Sequence, residues 1–321
     1  MSVGSSADNS GAENFSRTHR TPPITVFSSE RCNLGEGPAW DPGAQSLFWV
    51  DIHGCTVFEA TADSVVSRKW RIPSQPSAVI LMCDENVLVP AGQQILQLCT
   101  GTGALQTVAE LAGEPTDNRC NDAKCDPMGN LWIGTMDNNE RKRTGRLWRF
   151  DAGGGECVVL DGIGVANTLA WDMARGRFYF ADSMVGDIYR YDYDAASAEI
   201  ACRKIFFRRD GAPGIPDGSA IDDEGYLWNA RWDGGCVIRI SPDGRLDRVI
   251  KLPTMRPTSC AFGGLDMKTM FITSAAVDSS RPFDRADLGG AVFRIELDVA
   301  GSSIPRYKGP VGRAAKCISD Q

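Results

Sequence analysis

Short stretches in which apolar and polar residues alternate recur along the whole 321-residue chain. Examples are Gly145-Arg-Leu-Trp-Arg-Phe150, Asp187-Ile-Tyr-Arg-Tyr191, Cys236-Val-Ile-Arg-Ile240 and Ala291-Val-Phe-Arg-Ile295. A two-residue period puts successive side chains on opposite faces, so each stretch predicts a half-buried β-strand. Turn pairs such as Asp161-Gly162 and Asp243-Gly244 separate strands of this kind. No segment holds a helical period for more than two turns. The pattern predicts an all-β protein.

A longer period lies over the short one. A polar residue, a short apolar stretch, a turn and an apolar strand recur in that order. The clearest copies begin at Glu36, Asn121, Asn167 and Asp217, and each reaches an aspartate five residues later: Asp41, Asp126, Asp172 and Asp222. Two degenerate copies start near Ser77 and Thr258, giving spacings of 41, 44, 46, 50 and 41 residues. Each copy carries further strand signals, so one repeat makes a four-stranded sheet, the length expected of a propeller blade. The sequence therefore predicts a six-bladed β-propeller with four-stranded blades around a central channel. The extended Ile24-Thr-Val-Phe27 precedes the first copy and is expected to lend a strand to the last blade and close the ring. The propeller is placed at residues 23–310. Residues 1–22, rich in Ser, Asn, Gly and Thr, read as a disordered leader, and 311–321 as a tail.

Composition removes several classes of function. Formal charge is −7 and the basic residues are scattered, which argues against a nucleic-acid partner. The longest apolar run, Ala78 to Cys83, is far too short for a membrane span. There are only two histidines, and His19 lies in the leader, so a Ser-His-Asp or Cys-His mechanism would have to run through His53. The eleven cysteines are odd in number, no pair has C-x-x-C spacing, and no signal peptide precedes them. They read as buried free thiols in a reducing, cytoplasmic setting. The tryptophans at 40, 49, 132, 148, 171 and 228, with Met136, recur in strand phase and read as core. Nothing in the sequence specifies an oligomeric state.

The repeat has a chemical consequence. Equivalent positions lie at equivalent heights around a propeller, so Glu36, Asn121, Asn167 and Asp217 should converge on one mouth of the channel. Taken singly, an Asn or Asp at a strand start reads as a turn cap. Four in one phase read as a site. Two carboxylates and two amides suit a hard or borderline divalent cation: calcium, magnesium, manganese, zinc or ferrous iron. A carboxylate pair also fits glycoside hydrolysis, but the two amides would then have no task.

An ordered set of motifs extends this reading: Leu34-Gly-Glu-Gly-Pro-Ala-Trp40, Trp49-Val-Asp-Ile52, Arg119-Cys-Asn-Asp122, Asp126-Pro-Met-Gly129, Gly134-Thr-Met136, Asn167-Thr-Leu-Ala-Trp171, Ile215-Pro-Asp-Gly218 and Thr258-Ser-Cys-Ala-Phe-Gly-Gly264. In this set the chain resembles the SMP30/gluconolactonase/luciferin-regenerating-enzyme-like family from about Ile24 to about Arg306. The resemblance implies a six-bladed propeller with a single divalent metal held by Glu36, Asn167 and Asp217. It implies substrate contacts from Arg119 and Asn121, and hydrolysis of a sugar lactone. Two positions depart from the family. Ala123 stands where Gly is usual, a minor change if the backbone there has negative φ. In animal-type members an acidic residue shortly after Gly-Thr-Met touches the sugar. Here the run is Asp137-Asn-Asn-Glu140 and the best-aligned position is Asn139, which leaves the identity of the sugar open.

The mechanism implied is ester hydrolysis of an aldono-1,4- or 1,5-lactone, with a metal-polarised carbonyl and an activated water whose proton Asp217 accepts. Arg119 would bind the ring or carbonyl oxygen, and Asn121 and Asn139 the sugar hydroxyls. Two rival readings use the same frame. One is a non-catalytic calcium-binding propeller, against which the Arg119/Asn121 pair argues. The other is an esterase or phosphotriesterase acting through the same metal site.

Overall fold

A computed structural model describes residues 23–28, 30–63, 66–276 and 287–310. The leader at 1–22, with His19, and the tail at 311–321 lie outside the described residues. The described residues form six four-stranded antiparallel sheets arranged as a six-bladed β-propeller. Blades 1 to 6 begin with the inner strands Gly35–Asp41, Ile80–Leu81, Asn118–Cys125, Ala166–Asp172, Ile215–Ile221 and Pro257–Gly263. Among the described residues, the helical content is two 3₁₀ turns, at Met173–Arg175 and Arg209–Gly211, and no helix is long and apolar enough to cross a membrane.

The ring closes as the sequence predicts. Thr25–Ser28 pairs antiparallel with Val292–Glu296 and becomes the outermost strand of blade 6. Trp40 of blade 1 then stacks on Phe271 of blade 6, with ring centroids 5.2 Å apart. The degenerate copy near Ser77 yields the shortest inner strand, Ile80–Leu81, which pairs with Val87 and Leu88.

The recurring aspartate caps the inner hairpin in the four blades that carry it. Asp126 Oδ1 accepts the backbone N–H groups of Met128 and Asn130, both at 2.9 Å. Its Oδ2 accepts from Trp132 Nε1 (2.9 Å), Asn130 Nδ2 (2.7 Å) and the Tyr193 hydroxyl of the next blade (2.8 Å). Asp222 repeats the arrangement with the Trp228 indole (2.8 Å) and the Arg239 guanidinium (2.8 Å). The tryptophans are core, as their strand phase predicts: Trp40, Trp49, Trp132 and Trp228 are fully buried, and Trp148 and Trp171 nearly so. Cys32, Cys120, Cys125, Cys236 and Cys260 are buried free thiols. Burial pushes Cys32, Cys120 and Cys260 up to about 12, so they are protonated and unreactive at neutral pH.

Candidate functional site

Every blade that contributes a candidate residue has an irregularity beside it. Register shifts fall between Glu36 and Ala39, Cys120 and Asp122, Asn167 and Ala170, and Pro216 and Ser219. A bulge bends a strand and re-aims its side chains, so the repeat carries a device for turning one side chain per blade into the channel. Gly37, just after Glu36, has φ +54°, and a Cβ there would stand 2.6 Å from Ala78 Cα of blade 2. Glycine is required there on both counts. Ala123 has no positive φ, so its methyl group is accommodated.

Thr168, just after Asn167, also lies at positive φ, +61°. A β-branched residue is rarely found there, and local contacts over-determine it. Its hydroxyl donates to Asp217 O (2.6 Å) and accepts from Asn229 Nδ2 (3.1 Å) and Ser219 Oγ (3.3 Å). Asn229 Nδ2 also donates to Asp217 O, at 2.9 Å. The buried Arg231 donates to Pro213 O (3.0 Å), Gly214 O (2.8 Å) and Asn229 Oδ1 (3.2 Å), fixing the loop that leads into Asp217. The backbone of Asp217 is thereby held from two blades.

Glu36, Arg119, Asn121, Asn167 and Asp217 line one cavity of about 210 Å³. At roughly 30 Å³ per water molecule this is the space of about seven waters, enough for one small ring. Apolar parts of its wall come from Leu34, Ile52, Met136, Val165, Met184 and Ile215. A larger cavity, about 610 Å³, is lined by the other ends of the same inner strands and by residues 302–306, and holds none of the candidate site residues.

Asn121 and Asn167 have different surroundings. Asn121 Oδ1 accepts from Arg119 Nη1 at 2.9 Å, while its Nδ2 donates to Asn167 Oδ1 (3.3 Å) and Ala166 O (3.1 Å). Asn167 Nδ2 donates to Ser183 Oγ (2.9 Å), which fixes the amide with its oxygen on the Asn121 side. Asn121 is therefore committed to Arg119 and to the Asn167 amide. Asn121 Oδ1 thus accepts from a cation and Asn167 Oδ1 from a neutral amide, which makes Asn167 the freer amide oxygen beside the Glu36 and Asp217 carboxylates. Among the described residues no group of three His, Cys, Asp or Glu is placed to hold a metal ion.

The electrostatics suit a bound cation. Burial, then the repulsion of Asp217 and Asp122, pushes Glu36 well above the usual carboxylate range. Burial, then Asp122, does the same to Asp217. Neither carboxylate takes part in an ion pair among the described residues. The neighbouring Asp122 is also buried and raised, and its Oδ2 has no hydrogen-bond partner. Lys124 offsets part of this charge from within the channel, its Nζ donating to Ser219 O at 2.6 Å. Buried carboxylates without a counter-charge are expensive, and a divalent ion bound by oxygen donors removes that cost.

Beside this pair, Arg119 is buried and donates to Asn138 Oδ1 (2.9 Å), Cys120 O (2.9 Å) and Asn121 Oδ1 (2.9 Å), leaving Nη2 without a protein acceptor among the described residues. The run 137–140 divides its work. Asp137 caps the turn, accepting from the N–H groups of Asn139 (3.3 Å), Arg141 (2.9 Å) and Lys142 (2.9 Å). Asn138 orients Arg119, and Glu140, at φ +55°, lines the cavity. Asn139, the position the alignment favours for touching the sugar, is exposed and is not among the residues lining the cavity. His53 is likewise outside the lining and open to solvent, and partial desolvation followed by the charge of Arg119 lowers its pKa.

A six-bladed propeller with carboxylate and amide side chains from four blades lining one cavity is the class that fold and site define. Residues 34–276 match the SMP-30/gluconolactonase/LRE-like region, and the chain belongs to that family. It is 33% identical to pentonolactonase XacC of Haloferax volcanii over 293 residues, covering 90% of this chain and 98% of the relative. It is 35% identical to a 6-deoxy-6-sulfogluconolactonase of Pseudomonas putida over 292 residues, covering 86% and 95% respectively. Among solved structures, the calcium-binding protein regucalcin of Agrobacterium tumefaciens superposes with a TM-score of 0.82 at 28% identity, covering 89% of this chain and 97% of that one.

Proposed function

We propose that the protein hydrolyses a sugar lactone to the aldonic acid, using one divalent cation held by Glu36, Asn167 and Asp217. The observation that carries this is the pair of buried, ion-pair-free carboxylates facing one cavity with an amide oxygen and the free end of a buried arginine. The family relatives named for pentonolactone and sulfogluconolactone hydrolysis support the lactone as substrate. The solved relative titled a calcium-binding protein supports the ion.

When bound, the ion supplies Lewis-acid polarisation of the ester carbonyl and a lower pKa for the attacking water. Asp217 accepts the water proton as the water oxygen bonds to the acyl carbon and returns it to the ring oxygen as the acyl C–O bond breaks, a role worth typically 10²–10⁴-fold. Its backbone is held by Thr168 and Asn229, so the carboxylate is aimed in advance of substrate. Arg119 Nη2 donates to the lactone, and Glu140 accepts from its hydroxyls. Asn121 is a positioning residue as well as a contact, since its oxygen holds Arg119 and its nitrogen steadies Asn167. Asn139 drops out of the contact set in favour of Glu140.

A panel of aldono-1,4- and 1,5-lactones, aryl esters and phosphotriesters, assayed with and without chelator, tests the reading. Chelator-sensitive turnover of lactones above the other two classes is expected. Preference for an aryl ester or a phosphotriester, or no turnover of any lactone, would sink it.

A further inference from the structure

We infer that the pocket is built for an uncharged sugar lactone whose end remote from the reacting carbonyl is poor in hydroxyls, and that Met184 and Ile215 set this preference. The inference rests on the lactonase reading above and concerns which lactone is taken. It starts from how unevenly polar groups are spread around the cavity. Outside Glu36, Asn167 and Asp217, the charged and amide side chains of the lining are Arg119, Asn121 and Glu140, all of blade 3, and blade 5 adds the single indole N–H of Trp232. Ser183 also lines the wall, but its hydroxyl donates to Pro216 O (2.7 Å) and accepts from Asn167 (2.9 Å).

Blades 4 and 5 present a different surface. Met184 is 38% exposed and Ile215 is 38% exposed, and both line the cavity. Large apolar side chains left open at the rim of a polar pocket mark a ligand contact. Their positions are built in. Met184 is tied by its backbone N–H to Asp182 Oδ1 (3.1 Å), and its thioether lies over Gly164, where a Cβ would stand 2.5 Å from the sulfur. Ile215 is directly paired with Trp232 across the blade 5 hairpin, and the indole also lines the cavity. Arg256 stacks on Trp232 at 4.8 Å but is committed to Asp233 at 2.8 Å.

The charge distribution points the same way. Arg119 is the sole cation among the described residues that line the cavity, and it lies on the blade 3 side with Glu140. A lactone with its carbonyl at the oxygen donors has its hydroxyls read from one side, while the other edge rests on a thioether and an isobutyl-sized branch. A hydroxyl pressed against Met184 or Ile215 loses water and gains no partner from either, and among the described lining residues a phosphate or sulfonate meets no counter-charge on that side.

The test compares three matched substrates with the metal-loaded protein: a hexono-1,4-lactone, its 6-deoxy counterpart and its 6-phosphate. The 6-deoxy compound should exceed the parent in kcat/KM by roughly tenfold, the scale on which an apolar pocket discriminates, and the 6-phosphate should be the poorest. Met184→Gln and, separately, Ile215→Asn put an amide on the rim and should each shrink the deoxy-to-parent ratio by roughly threefold or more. A parent lactone equal to or better than its 6-deoxy form, or ratios unmoved by both variants, would overturn the inference while leaving the lactonase reading standing. No turnover of any of the three would overturn both.

Discussion

Thr168 is where sequence, backbone strain and chemistry meet most closely, and replacing it separates two contributions. Thr168→Val keeps the shape and the strained φ of +61° but removes the hydroxyl. Asp217 O then loses its 2.6 Å donor and keeps only Asn229 Nδ2 at 2.9 Å, while the Ser219 hydroxyl loses its acceptor at 3.3 Å. One lost hydrogen bond at about 1 kcal/mol and one buried donor left unpaired at about 1–3 kcal/mol give a destabilisation of about 2–4 kcal/mol. Thr168→Ser keeps every hydrogen bond and loses one methyl group, about 0.8 kcal/mol, part of which is regained because serine is not β-branched. The two variants should therefore differ by about 2 kcal/mol in urea or guanidinium unfolding. They should differ in metal affinity too, because only the valine frees the Asp217 backbone. Equal stability and equal metal affinity for the two variants would refute the claim that Thr168 holds Asp217 in place.

Further outcomes follow from the same geometry. Between the ordinary values, 4.5 for Glu36 and 3.8 for Asp217, and their raised folded values, the metal-free folded state binds more protons than the unfolded one. Their contribution to stability should fall as pH rises through that window, and a saturating divalent ion should flatten or invert the slope; a metal-free Asp217→Asn variant whose stability varies with pH no differently from the parent's would contradict this. Glu36→Gln and Asp217→Asn should each abolish metal-dependent turnover while leaving the far-ultraviolet circular dichroism unchanged, and near-normal turnover by either in metal-depleted buffer would remove it from the site. Arg119→Ala should raise KM by roughly tenfold or more with metal affinity unchanged, since its guanidinium faces substrate rather than the oxygen donors. Asp126→Ala orphans the donors of Trp132, Asn130 and Tyr193 and should cost more than about 3 kcal/mol, yet kcat/KM per folded molecule should hold because Asp126 does not line the cavity.

The propeller was legible because its repeat is written twice, once in strand alternation and once in a spacing of 41 to 50 residues. The pairing of Thr25–Ser28 with Val292–Glu296 could be anticipated for the same reason: an extra strand at one end matches a missing strand at the other. Glu36, Asn167 and Asp217 were visible from shared phase. Phase alone makes Asn121 their equal; its oxygen accepts from the Arg119 guanidinium, while that of Asn167 accepts from the neutral Asn121 amide. Glu140 was hidden because no rule of spacing tells which residue of a four-residue turn faces inward. Asp137 at the strand end takes the capping role, and the positive φ of Glu140 carries its side chain to the cavity. Asp122, Asn229 and Arg231 act through contacts between strands far apart in sequence, and such contacts leave no local pattern.

The central claim is that one oxygen-bound divalent ion at Glu36, Asn167 and Asp217 supports lactone hydrolysis. Its most direct test is to strip the protein with chelator, titrate manganese or calcium back, and follow binding by calorimetry and aldonolactone hydrolysis in the same samples. One equivalent of metal should restore turnover in proportion to occupancy, with neither binding nor turnover in Asp217→Asn. Full lactone turnover in the stripped protein, or tight one-to-one metal binding by Asp217→Asn, would contradict the account.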